Sequence, residues 1–165
     1  VKIELNPDWS EFLRLLLLRR VKFLLVGGHA VAAHGEPRLT EDLDVFIEQT
    51  QENAENLRQV LIEFGIGSAV PAVRELLEPG RIFMLGRKPR RIDILSEIDG
   101  VTFEECWKGR TEAQFTSTAV PVIGRAELIK NKHASGRVKD LADLAVLEST
   151  RSAKAVRRKG VPRPP

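Results

Sequence analysis

The chain has 165 residues, 42% of them apolar and 30% charged, a size and balance suited to one soluble domain with a real core. Aromatic residues make up only 5% and tyrosine is absent, which disfavours the stacked-base platforms of single-stranded nucleic-acid binders. The net charge of +3 hides an asymmetry: six of the 26 Lys and Arg residues lie in 151–165, which has no acid, leaving 20 against all 23 acids in residues 1–150. Residues 151–165 therefore read as a basic, flexible tail, open to contact with RNA or an acidic partner. A single cysteine, Cys106, excludes an internal disulfide and a cysteine metal cluster and fits a reducing compartment. The longest apolar run, residues 15–18, is too short to span a bilayer. With no visible signal segment, the cytoplasm is the expected location and no membrane partner is expected.

In chain order, residues 8–20 carry their apolar side chains at helical spacing, with Asp8 or Ser10 available as a cap. Residues 22–26 form a short apolar run stopped by Gly27 and Gly28, as a buried strand ends. The alanine-rich residues 29–34 predict a helix closed by Gly35 and Pro37. Residues 42–48 alternate as a strand, and residues 51–64 carry Leu57, Val60, Leu61 and Phe64 on one helical face. Residues 65–80 are loop-rich, with a helical turn at 73–77. Residues 81–85 and 91–95 predict two strands joined by a turn at 86–89. Residues 103–108 predict a short helix, 119–123 a strand, and 125–135 and 139–150 two final helices. This order predicts an α/β (α+β) fold: a mixed sheet flanked by helices, with a small helical C-terminal part.

Residues two apart on a strand share a face, so Asp42 and Asp44 point together while Leu43 and Val45 point into the core. Two adjacent carboxylates repel unless a cation joins them, and hard oxygen donors suit Mg²⁺, with Mn²⁺ as the alternative. Taken alone, such a pair is more often a solvated strand face. Gly27 and Gly28 mark either a tight strand-to-helix turn or a place where a phosphate approaches the backbone at a helix start. A dinucleotide fingerprint would need glycine at 29 and 32, which hold His29 and Ala32. No P-loop is present either. Asp93 lies mid-strand between Ile92 and Ile94, and its partner is either an active-site cleft or an ion pair with Arg90 or Arg91. His29 and His34 are five apart and face different ways, which excludes a zinc pair; His29 is a weak phosphate candidate beside the glycines. Cys106 and Trp107 read as core or interface residues.

The run Val26-Gly27-Gly28, thirteen residues, then Asp42-Leu43-Asp44-Val45 resembles the signature of the DNA polymerase β-like nucleotidyltransferase superfamily. Asp93 resembles its third carboxylate. Arg38-x-Thr40-x-Asp42 is similar to the form found in abortive-infection and toxin–antitoxin members. So is the ending from Leu128 through Lys130, Lys132, Arg137, Lys139 and Asp140 to Asp143-Leu144. The resemblance spans roughly residues 21–148 and implies a nucleotidyltransferase domain over residues 1–150. It implies Mg²⁺-dependent transfer of a nucleoside monophosphate from an NTP to a hydroxyl, with release of pyrophosphate. The acceptor would be RNA, a protein or a small molecule such as an antibiotic. A toxin–antitoxin or phage-defence role implies a cognate partner. Asp42, Asp44 and Asp93 would be the catalytic and metal-binding carboxylates. Gly27, Gly28, Arg38, Thr40, Lys132 and Lys139 would serve the nucleotide and its phosphates. Arg38 and Thr40 read equally as residues that orient the aspartates or shape a turn, and Asp140 as a helix-capping acid that orients rather than ligates. Two other readings stand beside this one: a binding-only regulator on the same fold, and a nucleic-acid module driven by the tail.

Overall fold

The computed structural model describes residues 2–35 and 38–159, with side chains described for 3–35 and 38–149. Helix α1 (Pro7–Leu18) starts where the Asn6 side chain accepts from the Trp9 amide at 3.0 Å, so Asn6 supplies the cap in place of Asp8 or Ser10. Its buried residues Trp9, Phe12, Leu13 and Leu16 recur at the spacing of one helical face. Helix α3 (Gln51–Phe64) is capped by Thr50, buries Leu57, Val60 and Leu61, and ends at Gly65 in the left-handed region. Phe64 meets Phe12 edge to face at 5.2 Å, so α1 and α3 pack together over the sheet.

Among the described residues the sheet has seven strands, in the order β1-β6-β7-β2-β3-β5-β4. At its centre β2 (Phe23–Leu25) is wholly buried; it runs antiparallel to β3 (Asp42–Ile47) and parallel to β7 (Thr118–Val122). Beyond β3 comes the parallel strand β5 (Arg91–Leu95), then the antiparallel edge strand β4 (Ile82–Leu85). On the other side β6 (Thr111–Phe115) pairs antiparallel with β7, and the two-residue β1 (Lys2–Ile3) lies parallel to β6. The expected mixed sheet with flanking helices is therefore present, with β1 and β6 as additions. Strand β6 buries only Phe115 of its five residues, and Thr111, Glu112 and Gln114 leave it without the apolar run that marks a strand.

Two departures bear on function. Helix α2 (Gly27–Ala33) begins at the glycines themselves, two residues before the expected start, so both lie in its first turn. Beyond the short α4 (Val73–Leu76) and α5 (Phe103–Gly109), α6 (Arg125–Ser135) leads into α7 (Val138–Lys159), which runs past the expected end at 150. Residues 151–159 of the expected tail continue α7 as helix, while side chains from 150 onward and residues 160–165, with any partner of the tail, lie outside the described residues. Helix α6 is fixed against the loop that follows β5 at two points. Asn131 donates to the Asp99 carbonyl at 3.0 Å, and a Cβ on Gly100 would sit 2.5 Å from that of Ala134, so only glycine lets the chains approach there. Among the described residues, no helix is long and apolar enough to cross a membrane.

Candidate active site

Strands β3 and β5 run in parallel register with Asp44 opposite Asp93 and Asp42 opposite Arg91. The alternation that buries Leu43, Val45, Ile92 and Ile94 turns Asp42, Asp44, Asp93 and Arg91 to the other face. There they form one wall of a cleft of about 540 Å³. Gly27 completes this wall. Lys132, Arg137 and Lys139, from α6, α7 and the turn between them, line the cleft with Asn131 and Ser135. A third side, absent from the sequence reading, comes from Gly80, Ile82, Leu95, Glu97, Ile98 and Asp99. Of the expected site residues, Gly27, Asp42, Asp44, Asp93, Lys132 and Lys139 line the cleft, while Gly28, Arg38 and Thr40 stand behind it.

Each of the three residues behind the cleft has a traceable contact. A Cβ on Gly28 would approach the Thr40 Cβ to 3.0 Å, so the second glycine lets the 38–41 segment close on α2. Thr40 donates its hydroxyl to the Asp42 carbonyl at 2.9 Å and lies 3.3 Å from Asp42 Oδ1, orienting that aspartate. Arg38 pairs with Asp143 on α7 and so ties the same segment to the C-terminal helices. His29 is buried against Trp9, with ring centroids 5.0 Å apart. Burial pushes its pKa down to about 4, so the imidazole is neutral, and it lines no part of the cleft. Cys106 is buried core, as expected, with its thiol pushed up to about 12 by burial and then by the charges of Glu127 and Glu105.

Opposite the carboxylates lies a buried ionic cluster. Lys132, 2% exposed, places Nζ 2.7 Å from Asp140 Oδ1 and 2.8 Å from Asp143 Oδ2. Arg137 donates to Asp140 at 2.8 Å. Burial raises the Asp140 carboxyl, but hydrogen bonds from Lys132, Arg137 and Ser135 outweigh it and hold the group well below the usual carboxylate range. Asp140 thus orients the wall, as its position in the sequence suggests. Lys132 reaches the cleft with its charge shared by two carboxylates, whereas exposed Lys139 makes no ion pair with a described residue.

The carboxylate wall is electrostatically uneven. Arg91 forks onto Asp93, Nε to Oδ1 at 2.6 Å and Nη2 to Oδ2 at 2.7 Å, and Nη2 lies 3.2 Å from Asp42 Oδ2. Lys88 Nζ stands 3.6 Å from that same Asp42 oxygen. No described donor hydrogen-bonds the Asp44 carboxylate. Burial, then the charges of Asp42 and Asp93, push its pKa up to about 6 against the pull of Lys139 and Lys132. The donor set therefore suits a hard divalent cation: three carboxylates on one face, one lacking any hydrogen-bond donor. No three acids are already gathered into a metal cage among the described residues; the Arg91 guanidinium spans Asp42 and Asp93. The ion pair from Arg91 to Asp93 and the cleft, which read as alternatives in the sequence, occur together.

Because the folded Asp44 carboxyl titrates near 6 rather than the ordinary 3.8, folding favours its protonated form, and its contribution to stability falls as pH rises between those values. In EDTA at pH 7.5, Asp44→Asn is expected to melt roughly 2–5 °C above the wild type. The gain should vanish at pH 4; a variant that melts lower at pH 7.5 would show the carboxylate to be stabilising.

A mixed sheet carrying a glycine turn and paired aspartates on its central strands, closed by C-terminal helices, is the framework of a nucleotidyltransferase. The chain belongs to the family of AbiEii nucleotidyl transferase toxins of type IV toxin–antitoxin systems, whose family model matches residues 15–159. Its fold is similar to that of the lincosamide antibiotic adenylyltransferase LnuA, solved with lincomycin bound. The two share 16% identity and a TM-score of 0.53, over 89% of this chain and 98% of that one. It is also similar to a Thermotoga maritima protein, TM1012, provisionally described as a nucleotidyltransferase. There the identity is 14% and the TM-score 0.51, with 93% of each chain covered. Comparison with curated proteins gives no match.

Proposed function

We propose that this nucleotidyltransferase moves a nucleoside monophosphate from an NTP to a hydroxyl on RNA or protein, releasing pyrophosphate, as the toxin of a pair with a cognate antitoxin. The observation that carries the reading is the in-register placement of Asp42, Asp44 and Asp93 on one cleft wall, facing Lys139 and Arg137. Asp42, Asp44 and Asp93 would hold Mg²⁺, which supplies charge neutralisation at the triphosphate and polarises the reacting oxygens. Gly27, lacking a Cβ, admits the triphosphate beside Asp44. Lys139 and Arg137 offset the negative charge that builds on the leaving pyrophosphate. Asp93 accepts the proton of the attacking hydroxyl. Lys132, locked to Asp140 and Asp143, holds α6 against α7 and so fixes the basic wall; catalysis then rests on positioning and charge.

The test is transfer of label from α-³²P NTPs, with Mg²⁺ and a bacterial extract, into material then treated with ribonuclease or protease. Label lost to one enzyme identifies the acceptor as RNA or protein; label resistant to both points to a small molecule. Asp42→Asn and Asp44→Asn should each lower the yield by about 10³ or more. Absence of labelled product with any NTP, or labelling that both variants retain, would leave the binding-only reading.

A further inference from the structure

We propose that Arg91 is a counter-cation built into the carboxylate wall that competes with a divalent cation for the same oxygens and so sets the affinity of the site for metal. The proposal rests on the reading of Asp42, Asp44 and Asp93 as the metal-binding group. Arg91 and Asp93 lie two apart on β5 and share its cleft face, and the parallel register sets Arg91 opposite Asp42. Both oxygens of Asp93 accept from the guanidinium, at 2.6 and 2.7 Å, and Asp42 Oδ2 accepts at 3.2 Å. Of the six oxygens of the three carboxylates, Arg91 engages three: both of Asp93 and Oδ2 of Asp42.

Side-on, forked pairing is the strongest arrangement between these two groups, and it uses lone pairs that a hard cation also needs. A cation bound to Asp44 can recruit Asp93, or the Oδ2 of Asp42, only in competition with Arg91 for the same oxygens. The side chain has room to do so. It is 25% exposed and lines the cleft, where the phosphates of an incoming NTP offer a guanidinium equivalent anionic acceptors. Release of the carboxylates is thereby linked to nucleotide: the triphosphate brings both the cation and the new partner for Arg91. In the absence of nucleotide, the guanidinium relieves the repulsion between Asp42 and Asp93 and leaves it concentrated on Asp44.

The competition predicts that removing the fork strengthens binding of metal alone. The probe is Mn²⁺ without nucleotide, titrated into full-length protein stripped with EDTA, with unbound Mn²⁺ counted by its electron paramagnetic resonance signal. Arg91→Gln should bind Mn²⁺ about tenfold more tightly than the wild type, the scale of one charge-assisted hydrogen bond. Arg91→Lys, which keeps the charge without the fork, should fall between them. In EDTA both variants should melt below the wild type, and Mn²⁺ should raise their melting temperatures more than it raises that of the wild type. Equal or weaker Mn²⁺ binding by both variants, with circular dichroism showing both folded, would overturn the proposal and make Arg91 a residue that merely orients Asp93. Arg91→Lys carries the test if Arg91→Gln does not fold. Adding Asp44→Asn to each Arg91 variant separates the two readings. If Mn²⁺ binding then survives unchanged, the ion is not held by these carboxylates and the metal site itself is misassigned; if it is lost, only the role of Arg91 is at issue.

Discussion

Lys132→Ala is expected to destabilise the fold by about 3–5 kcal/mol, more than any other single replacement at the cleft. The 2%-exposed Lys132 ammonium is the shared partner of Asp140 and Asp143. Removing it strands two buried carboxylates, leaving Asp140 with Arg137 and Ser135 and Asp143 with Arg38. A buried ion pair adds little net stability over a well-packed apolar substitute, but breaking one leaves an uncompensated charge, which is the costly case. Truncation at Cβ also empties the space of the long stem. Urea unfolding at pH 7.5 reads the cost directly, and a loss under about 1 kcal/mol would mean that the cluster is solvated in solution. The sign with pH follows from Asp140. Its folded pKa lies below the ordinary value of 3.8, so its contribution to stability is present above that value and lost on acidification below it. Lys132→Ala should therefore lose least, relative to the wild type, in strong acid.

Gly27→Ala should reduce nucleotidyl transfer by about 10² or more, with only a modest cost in stability. A methyl group there would meet Asp44 Oδ2 at 2.0 Å and Cγ at 2.8 Å, and the backbone φ of +65° is one that alanine adopts with strain. The aspartate must swing aside, carrying it off the wall it shares with Asp42 and Asp93. Gly28→Ala is the control one residue along: its φ is ordinary, and its Cβ would press on Thr40 rather than on a carboxylate, so the loss of activity should be several-fold smaller. Steady-state rates with saturating NTP separate the two. Equal rates for Gly27→Ala and the wild type would show that Asp44 tolerates displacement.

The features read from the sequence are those in which local pattern and chemistry coincide. The run into Gly27-Gly28 ends a strand because the apolar residues stop where the chain needs a positive φ. The alternation in residues 42–47 fixes which face holds Asp42 and Asp44, and Ile92 and Ile94 do the same for Asp93. Two-residue periodicity also put Arg91 beside Asp93, but its reach to Asp42 depends on β3 and β5 being neighbours in parallel register, a pairing across 49 residues that no local signal carries. The link from Arg38 to Asp143 spans 105 residues, so a residue resembling a phosphate ligand is instead a tie between two segments. Strand β6 has no legible signal because Thr111, Glu112 and Gln114 interrupt any apolar pattern. The cleft wall at Glu97, Ile98 and Asp99 escaped because it is a loop whose position is set by Asn131 and Gly100 rather than by its own composition.

In the proposed reaction the carboxylate wall directs an α-phosphoryl group to an acceptor. Parallel reactions with α-³²P and γ-³²P forms of the preferred NTP test it most directly. The expected result is α-label on the acceptor and γ-label recovered wholly as pyrophosphate, with both reduced together in Asp44→Asn. Appearance of γ-label on the acceptor, or release of inorganic phosphate without transfer, would contradict it.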